Sequence, residues 1–198
     1  MAGLTPPPSP FNADMTRLLT AVWERKDSGL VLDAGCGNAR TSLWLADAEC
    51  DVLAIDLDLP TPPGMVVKQE SSAGRLQLLR DDLFSVRLTD PFATAALFGV
   101  LHYAGSADRV GQLLARVSGW LEPGGVLVLS WITDRFPLAH ASAFLPPRAL
   151  VEQCMDTCEF DRVECWEKIV HHAHGNRPYH THEVVYSVWR RRPQDTGA

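Results

Sequence analysis

The sequence predicts an α/β protein: a doubly wound, mostly parallel seven-stranded sheet that ends in a C-terminal antiparallel hairpin. Three observations carry this expectation. Apolar segments at 30–32, 51–55, 76–80, 95–101 and 126–130 alternate with helical patterns, which implies parallel strands with helices on both faces. The first of them runs into Asp33-Ala34-Gly35-Cys36-Gly37, a turn with two glycines one residue apart, and a helical pattern begins at Thr41. Residues 160–172 and 180–192 read as two long strands joined by Gly175-Asn176-Arg177-Pro178, a turn-rich connector.

Taken from the N-terminus, Pro6, Pro7, Pro8 and Pro10 mark a flexible lead over 1–11, without the charged start and apolar centre of a secretory signal. A single domain is expected over 12–192, opening on a helix from about Asn12 to Lys26, with a short tail at 193–198. The first strand ends at Asp33. Gly35 and Gly37 lack a β-carbon, so the backbone there can turn sharply and lie directly against a ligand. A dinucleotide fingerprint would need a small residue three positions after the second glycine, and Arg40 stands there. Asp33, before the first glycine, suits a cationic ligand better than a pyrophosphate.

This segment closely resembles the first signature of class I S-adenosylmethionine-dependent methyltransferases: an acid, one residue, then alternating glycines. Ala39 stands where that pattern often has a third glycine. The second strand ends in Asp56, about twenty residues after the glycine loop, where a carboxylate accepts ribose hydroxyls. Asp58 reads as a solvated loop acid. The third strand runs into Asp81-Asp82-Leu83. The resemblance implies that Asp82, or else Asp81, takes the adenine amine, and that the next backbone N–H reaches a ring nitrogen. The fourth strand ends in Val100-Leu101-His102-Tyr103, similar to the family's fourth motif, although Ala93 replaces an acid often found near its start. The turn Leu121-Glu122-Pro123-Gly124-Gly125 before the fifth strand looks like the family's helix stop and strand start. The implied cofactor is S-adenosylmethionine, and the expected contacts are Asp33, Gly35, Cys36, Gly37, Asp56, Leu57, Asp82, Leu83 and Phe98.

Ligands of an open parallel sheet bind beyond the carboxyl ends of its strands. Residues 131–144 leave that edge, so Trp131, Arg135 and Phe136 are expected to wall an acceptor pocket. His102 and His140 are the candidate general bases, and Tyr103 is placed to orient an acceptor or to cap the core. Phe144-Leu145-Pro146, Trp166-Glu167, His171-His172 and Val188-Trp189-Arg190 loosely resemble the small tellurite-resistance-type branch, a hint of a compact acceptor.

Five histidines fall in the hairpin. Centred on Arg177, it would set His174 opposite His180 and His172 opposite His182, all on one face. A solvent-facing polar surface is the expected use of that face, and no metal is expected. The five cysteines, odd in number and unevenly spaced, read as free thiols in a cytoplasmic protein, with Cys154 and Cys158 one helical turn apart on a helix over 147–158.

The net charge of -6 argues against a nucleic-acid partner, and Arg190-Arg191-Arg192 reads as a solvated strand end. No apolar run is long enough for a bilayer. The expected partner is a small molecule, and the expected state a monomer or homodimer. The expected reaction is in-line methyl transfer, in which the protein aligns acceptor and donor and excludes water. The competing readings are a non-catalytic nucleoside-binding regulator and a different reaction on the same cofactor scaffold.

Overall fold

A computed structural model describes residues 6–61, 63–64, 66–70, 74–136, 144–172 and 180–193. The elements run α1 (Ala13–Trp23), β1 (Val31–Ala34), α2 (Arg40–Asp47), β2 (Val52–Asp56), β3 (Val66–Glu70), β4 (Arg75–Arg80), β5 (Phe92–Phe98), α3 (Ala107–Trp120), β6 (Leu121–Ile132), α4 (Arg148–Thr157), β7 (Phe160–His172) and β8 (His180–Arg191). The strand order is β3-β4-β2-β1-β5-β6-β8-β7. Strands β4, β2, β1, β5 and β6 are mutually parallel, and β8 and β7 close the sheet antiparallel. All seven expected strands are present. An eighth, β3, pairs antiparallel with β4 at the opposite edge. Its sequence, Val-Val-Lys-Gln-Glu, has too few apolar positions to announce a strand, and pairing with β4 supplies what composition does not.

The helices start where local chemistry allows. The Asn12 side chain accepts the Met15 N–H at 2.9 Å and so caps α1, and the Ser106 hydroxyl accepts the Arg109 N–H at 3.3 Å to cap α3. No side chain caps α2; it begins from Ala39 in the left-handed region at φ 60°.

Alternation along the strands builds two cores. Leu32, Ala34, Leu97, Leu127 and Leu129 face one side, where Val110, Leu113, Leu114 and Val117 of α3 and Val151 and Met155 of α4 cover them. Val31, Ala54, Ala96 and Val128 face the other, under Leu18, Leu19 and Val22 of α1 and Trp44 and Leu45 of α2. Both faces are sealed, so the ligand-accessible part of the sheet is its carboxyl edge.

The hairpin register differs from the expectation. His172 pairs with His180 and Val170 with His182, so the hairpin centres one residue earlier than Arg177. Each partner moves by two, so His180 and His182 stay on one side of the sheet. His171 faces the other way, its Nδ1 lying 2.8 Å from the Thr181 hydroxyl. His174 lies outside the described residues. A bulge between Arg162 and Glu164 leaves Val163 without an opposite partner and 55% exposed.

Candidate active site

The strand order reverses direction at β1: α2 carries the chain from β1 to β2 on one side, and β5 lies on the other. Such a switch point opens a crevice. Here the carboxyl ends of β1, β2, β4 and β5 surround a cavity of about 720 Å³. Gly35 and Gly37 line it from the loop after β1. Gly35 has φ +80°, and a β-carbon there would collide with the Val100 side chain at the end of β5. Gly37 has φ +56°, and a β-carbon there would enter open space. The loop is tied to β2: the Gly35 and Cys36 N–H groups both donate to the Ile55 carbonyl, at 2.8 and 3.1 Å.

Asp56, at the tip of β2, bridges two loops. Its Oδ2 accepts the Gly37 N–H at 2.8 Å and its Oδ1 the Asp58 N–H at 3.0 Å. A carboxylate has about four acceptor positions, so each oxygen keeps one for a ligand hydroxyl. At the tip of β4, Asp82 Oδ1 accepts the Phe84 N–H at 2.9 Å, while Oδ2 makes no hydrogen bond among the described residues. Leu57, Leu83 and Phe98 provide apolar walls.

Residues 31–125 match the family model of the methyltransferase domain. The chain carries a methyltransferase domain. No curated protein matches the sequence. Among solved structures, TehB of Haemophilus influenzae superposes with a TM-score of 0.69 at 13% identity, covering 93% of this chain and 64% of that one. The 1,6-didemethyltoxoflavin-N1-methyltransferase of Burkholderia thailandensis, crystallised with 1,6-didemethyltoxoflavin and S-adenosylhomocysteine, reaches 0.63 at 19% identity, over 91% of this chain and 79% of that one. The [4+2]-cyclase SpnF reaches 0.61 at 13% identity, over 89% and 80%. At these identities the likeness establishes the fold.

Within the methyltransferase domain, Gly35, Cys36, Gly37, Asp56, Leu57, Asp82, Leu83 and Phe98 all line the cavity. Asp33 does not, which corrects its expected place among the contacts. Alternation turns its side chain to the α2 side of β1, where it is 1% exposed and accepts the Ser42 hydroxyl at 2.5 Å. Burial raises its pKa to about 6, against the Ser42 hydrogen bond and with a smaller contribution from the Asp56 charge. Asp58 and Asp81, the weaker alternatives in sequence, line the cavity too, as do Asn38, Pro60, Gly99 and Val100. Val100 opens the fourth-strand motif, and its side chain lies across from Gly35. The described lining holds four aspartates and no lysine, arginine or histidine, a field that favours a cation. Cys36 is no nucleophile here: burial, then the Asp33 and Asp56 charges, push its thiol pKa far up.

Tyr103 lines the cavity and is 79% exposed. His102 lies behind it, the two ring centroids 4.1 Å apart. Its Nδ1 is buried without a hydrogen-bond partner among the described residues, and burial lowers its pKa below the usual histidine value. The ring is therefore neutral near pH 7. Trp131 is not a pocket wall. It is 1% exposed, on the same side of β6 as Leu127 and Leu129, and packs into the α3/α4 core. Arg135 and Phe136 follow β6 at the sheet's carboxyl edge, outside the lining of this cavity. His140 lies outside the described residues.

The hairpin histidines His180 and His182 stand with ring centroids 5.2 Å apart, and no group of metal-ligating side chains occurs among the described residues. Cys154, Cys158 and Cys165 pack partly buried against the α3/α4 core, with thiol pKa values raised chiefly by that burial. All five cysteines are free.

Proposed function

We propose that the chain transfers the methyl group of S-adenosylmethionine to a small-molecule acceptor, with the cleft at the β1–β5 switch point as the donor site. The observation that carries this reading is the Asp56 carboxylate. The Gly37 N–H holds one oxygen against the glycine loop and the Asp58 N–H holds the other, each oxygen keeps a further acceptor position, and the residue lines the cavity. That is the arrangement a ribose diol requires.

Asp56 holds the two ribose hydroxyls, Asp82 Oδ2 takes the adenine amine, and the Leu83 N–H meets a ring nitrogen. Leu57 and Phe98 sandwich the base, and Gly37 lets the amino-acid end lie on the backbone. The donor supplies an activated sulfonium methyl. The chain's own residues then align the acceptor in line with it and exclude water, which converts a bimolecular encounter into a positioned one. The new bond joins the acceptor atom to the methyl carbon as the carbon–sulfur bond breaks. Where the acceptor carries a proton, neutral His102 accepts it, which contributes about 10²–10⁴-fold. Tyr103 orients the acceptor at the mouth.

The four-aspartate lining and the net charge of -6 support a small acceptor over a nucleic acid. No described helix is long and apolar enough to cross a membrane. Free cysteines support a reducing, cytoplasmic setting, and a monomer or homodimer is the proposed state.

Calorimetry with S-adenosylmethionine tests the donor site. Asp56→Ala should weaken binding about 10- to 100-fold, the worth of one or two hydrogen bonds to a charged group. Unchanged affinity removes Asp56 from the ribose. Incubation of cell extract with methyl-labelled donor and enzyme tests the reaction. Donor binding without any labelled product would favour a binding module or a different reaction.

A further inference from the structure

The loop after β6 carries a charge arrangement that the donor site does not use. Glu183, near the start of β8, is 7% exposed. Its Oε2 accepts the hydroxyl of Thr133, itself 1% exposed, at 2.9 Å, and its Oε1 accepts Arg135 Nη1 at 2.5 Å. The backbone pins the same pair, the Thr133 N–H donating to the Glu183 carbonyl at 3.0 Å. The Arg135 side chain is 55% exposed and leans on Phe136, its guanidinium carbon 5.5 Å from the ring centroid.

Taking a carboxylate out of water is costly. The Arg135 and Thr133 hydrogen bonds outweigh that cost and hold the Glu183 carboxyl below its usual range. The arrangement also sets orientation. Glu183 holds the guanidinium by Nη1, while Nε and Nη2 make no hydrogen bond among the described residues. Those two nitrogens form one edge of the planar fork, the edge that receives both oxygens of a carboxylate side by side.

Its place in the fold adds to this. Arg135 stands just past the carboxyl end of β6, and β6 lies beside β5, whose carboxyl end leads into His102 and Tyr103. The donor cavity itself is lined by four aspartates and no lysine, arginine or histidine among the described residues, so an anionic acceptor gains no attraction there. A cation fixed on the neighbouring strand's loop supplies it.

We propose that the acceptor carries a carboxylate, that Arg135 binds it through Nε and Nη2, and that Glu183 and Thr133 are positioning residues for that arginine. This rests on the methyltransferase reading above. The test begins with a small-molecule cell extract passed over an anion exchanger at pH 7. Retained and flow-through pools are each incubated with the full-length protein and methyl-labelled S-adenosylmethionine. Labelled product from the retained pool alone is expected. Product from the flow-through alone overturns the anionic acceptor and leaves methyl transfer standing. Donor binding with no product in either pool overturns both.

With the active pool, Arg135→Gln should raise the acceptor KM about 10- to 100-fold, with kcat and the donor Kd little changed. Arg135→Lys, which keeps the charge and loses the fork, should recover part of that. Glu183→Gln should raise the acceptor KM to a smaller degree, a change that a purely structural role would not confine to the acceptor. The donor Kd of each variant confirms that it is folded. An acceptor KM unchanged in Arg135→Gln refutes the proposal.

Discussion

Replacing Asp33 with asparagine should remove a pH-dependent penalty on folding. Asp33 sits 1% exposed in the middle of the sheet, with the Ser42 hydroxyl 2.5 Å from its Oδ2. Loss of solvent raises its pKa from 3.8 to about 6 in the folded protein, although the Ser42 hydrogen bond opposes the shift. In the unfolded chain the group titrates near 3.8. Below that pH both states hold the proton, and Asp33 adds no difference. Between the two values the unfolded chain releases the proton while the folded protein keeps it, so stability falls as pH rises. Above pH 6 both states are ionised and the folded state carries the whole cost, about 3 kcal/mol for a shift of roughly two units. Asparagine keeps an acceptor for Ser42 and never ionises. Urea unfolding followed by tryptophan fluorescence from pH 4 to 8 should show Asp33→Asn overtaking the wild type as pH rises, by up to about 3 kcal/mol at pH 7.5. A difference independent of pH, or a variant less stable at pH 7.5, would refute the reasoning.

The glycine loop and the turn after β5 support further expectations. Ala39 adopts φ 60° at the start of α2, and this conformation costs an L-residue about 1–2 kcal/mol. Glycine's greater freedom in the unfolded chain offsets about 0.4–1 kcal/mol of this, so Ala39→Gly should raise the melting temperature by about 2–4 °C in differential scanning calorimetry; a lower melting temperature than the wild type would show that the methyl group's packing outweighs the strain. Gly37→Val directs its side chain into the open space where the donor is proposed to lie. It should abolish donor binding in calorimetry while circular dichroism shows a folded protein, and retained binding would contradict close backbone approach. His102, with its pKa lowered by burial, should produce an acid limb in kcat/KM below pH 6.5. His102→Gln should lose that limb along with about 10²–10⁴-fold in turnover. An unaltered profile would exclude His102 as the base.

The succession of strands and helices, the glycine loop and the acids at the strand tips were legible in the chain because they obey short-range rules. An apolar run has to be buried, a helix needs a start and a stop, and a turn that meets a ligand needs glycine. Gly35, Gly37 and Asp56 could be named on that basis, since each lies within a few residues of a recognisable strand end; Asp82 was named by the family resemblance. Direction along a strand was legible; the facing of individual side chains was less so. Asp33 stands at a motif position and Trp131 at the end of a strand that leads to the ligand edge, yet alternation buries one beneath α2 and the other beneath α3 and α4.

What only the tertiary structure decided involves residues far apart in sequence. Val100 limits residue 35 to glycine across the β1–β5 gap. β3 exists because β4 offers it an edge. Glu183 orients Arg135 across 48 residues of chain. No local pattern encodes such pairings, because their energy depends on which backbone the completed sheet brings alongside. The sequence by itself determined the class of fold and the type of ligand loop; the packed sheet determined which side chains reach the ligand edge and which are spent holding it in place.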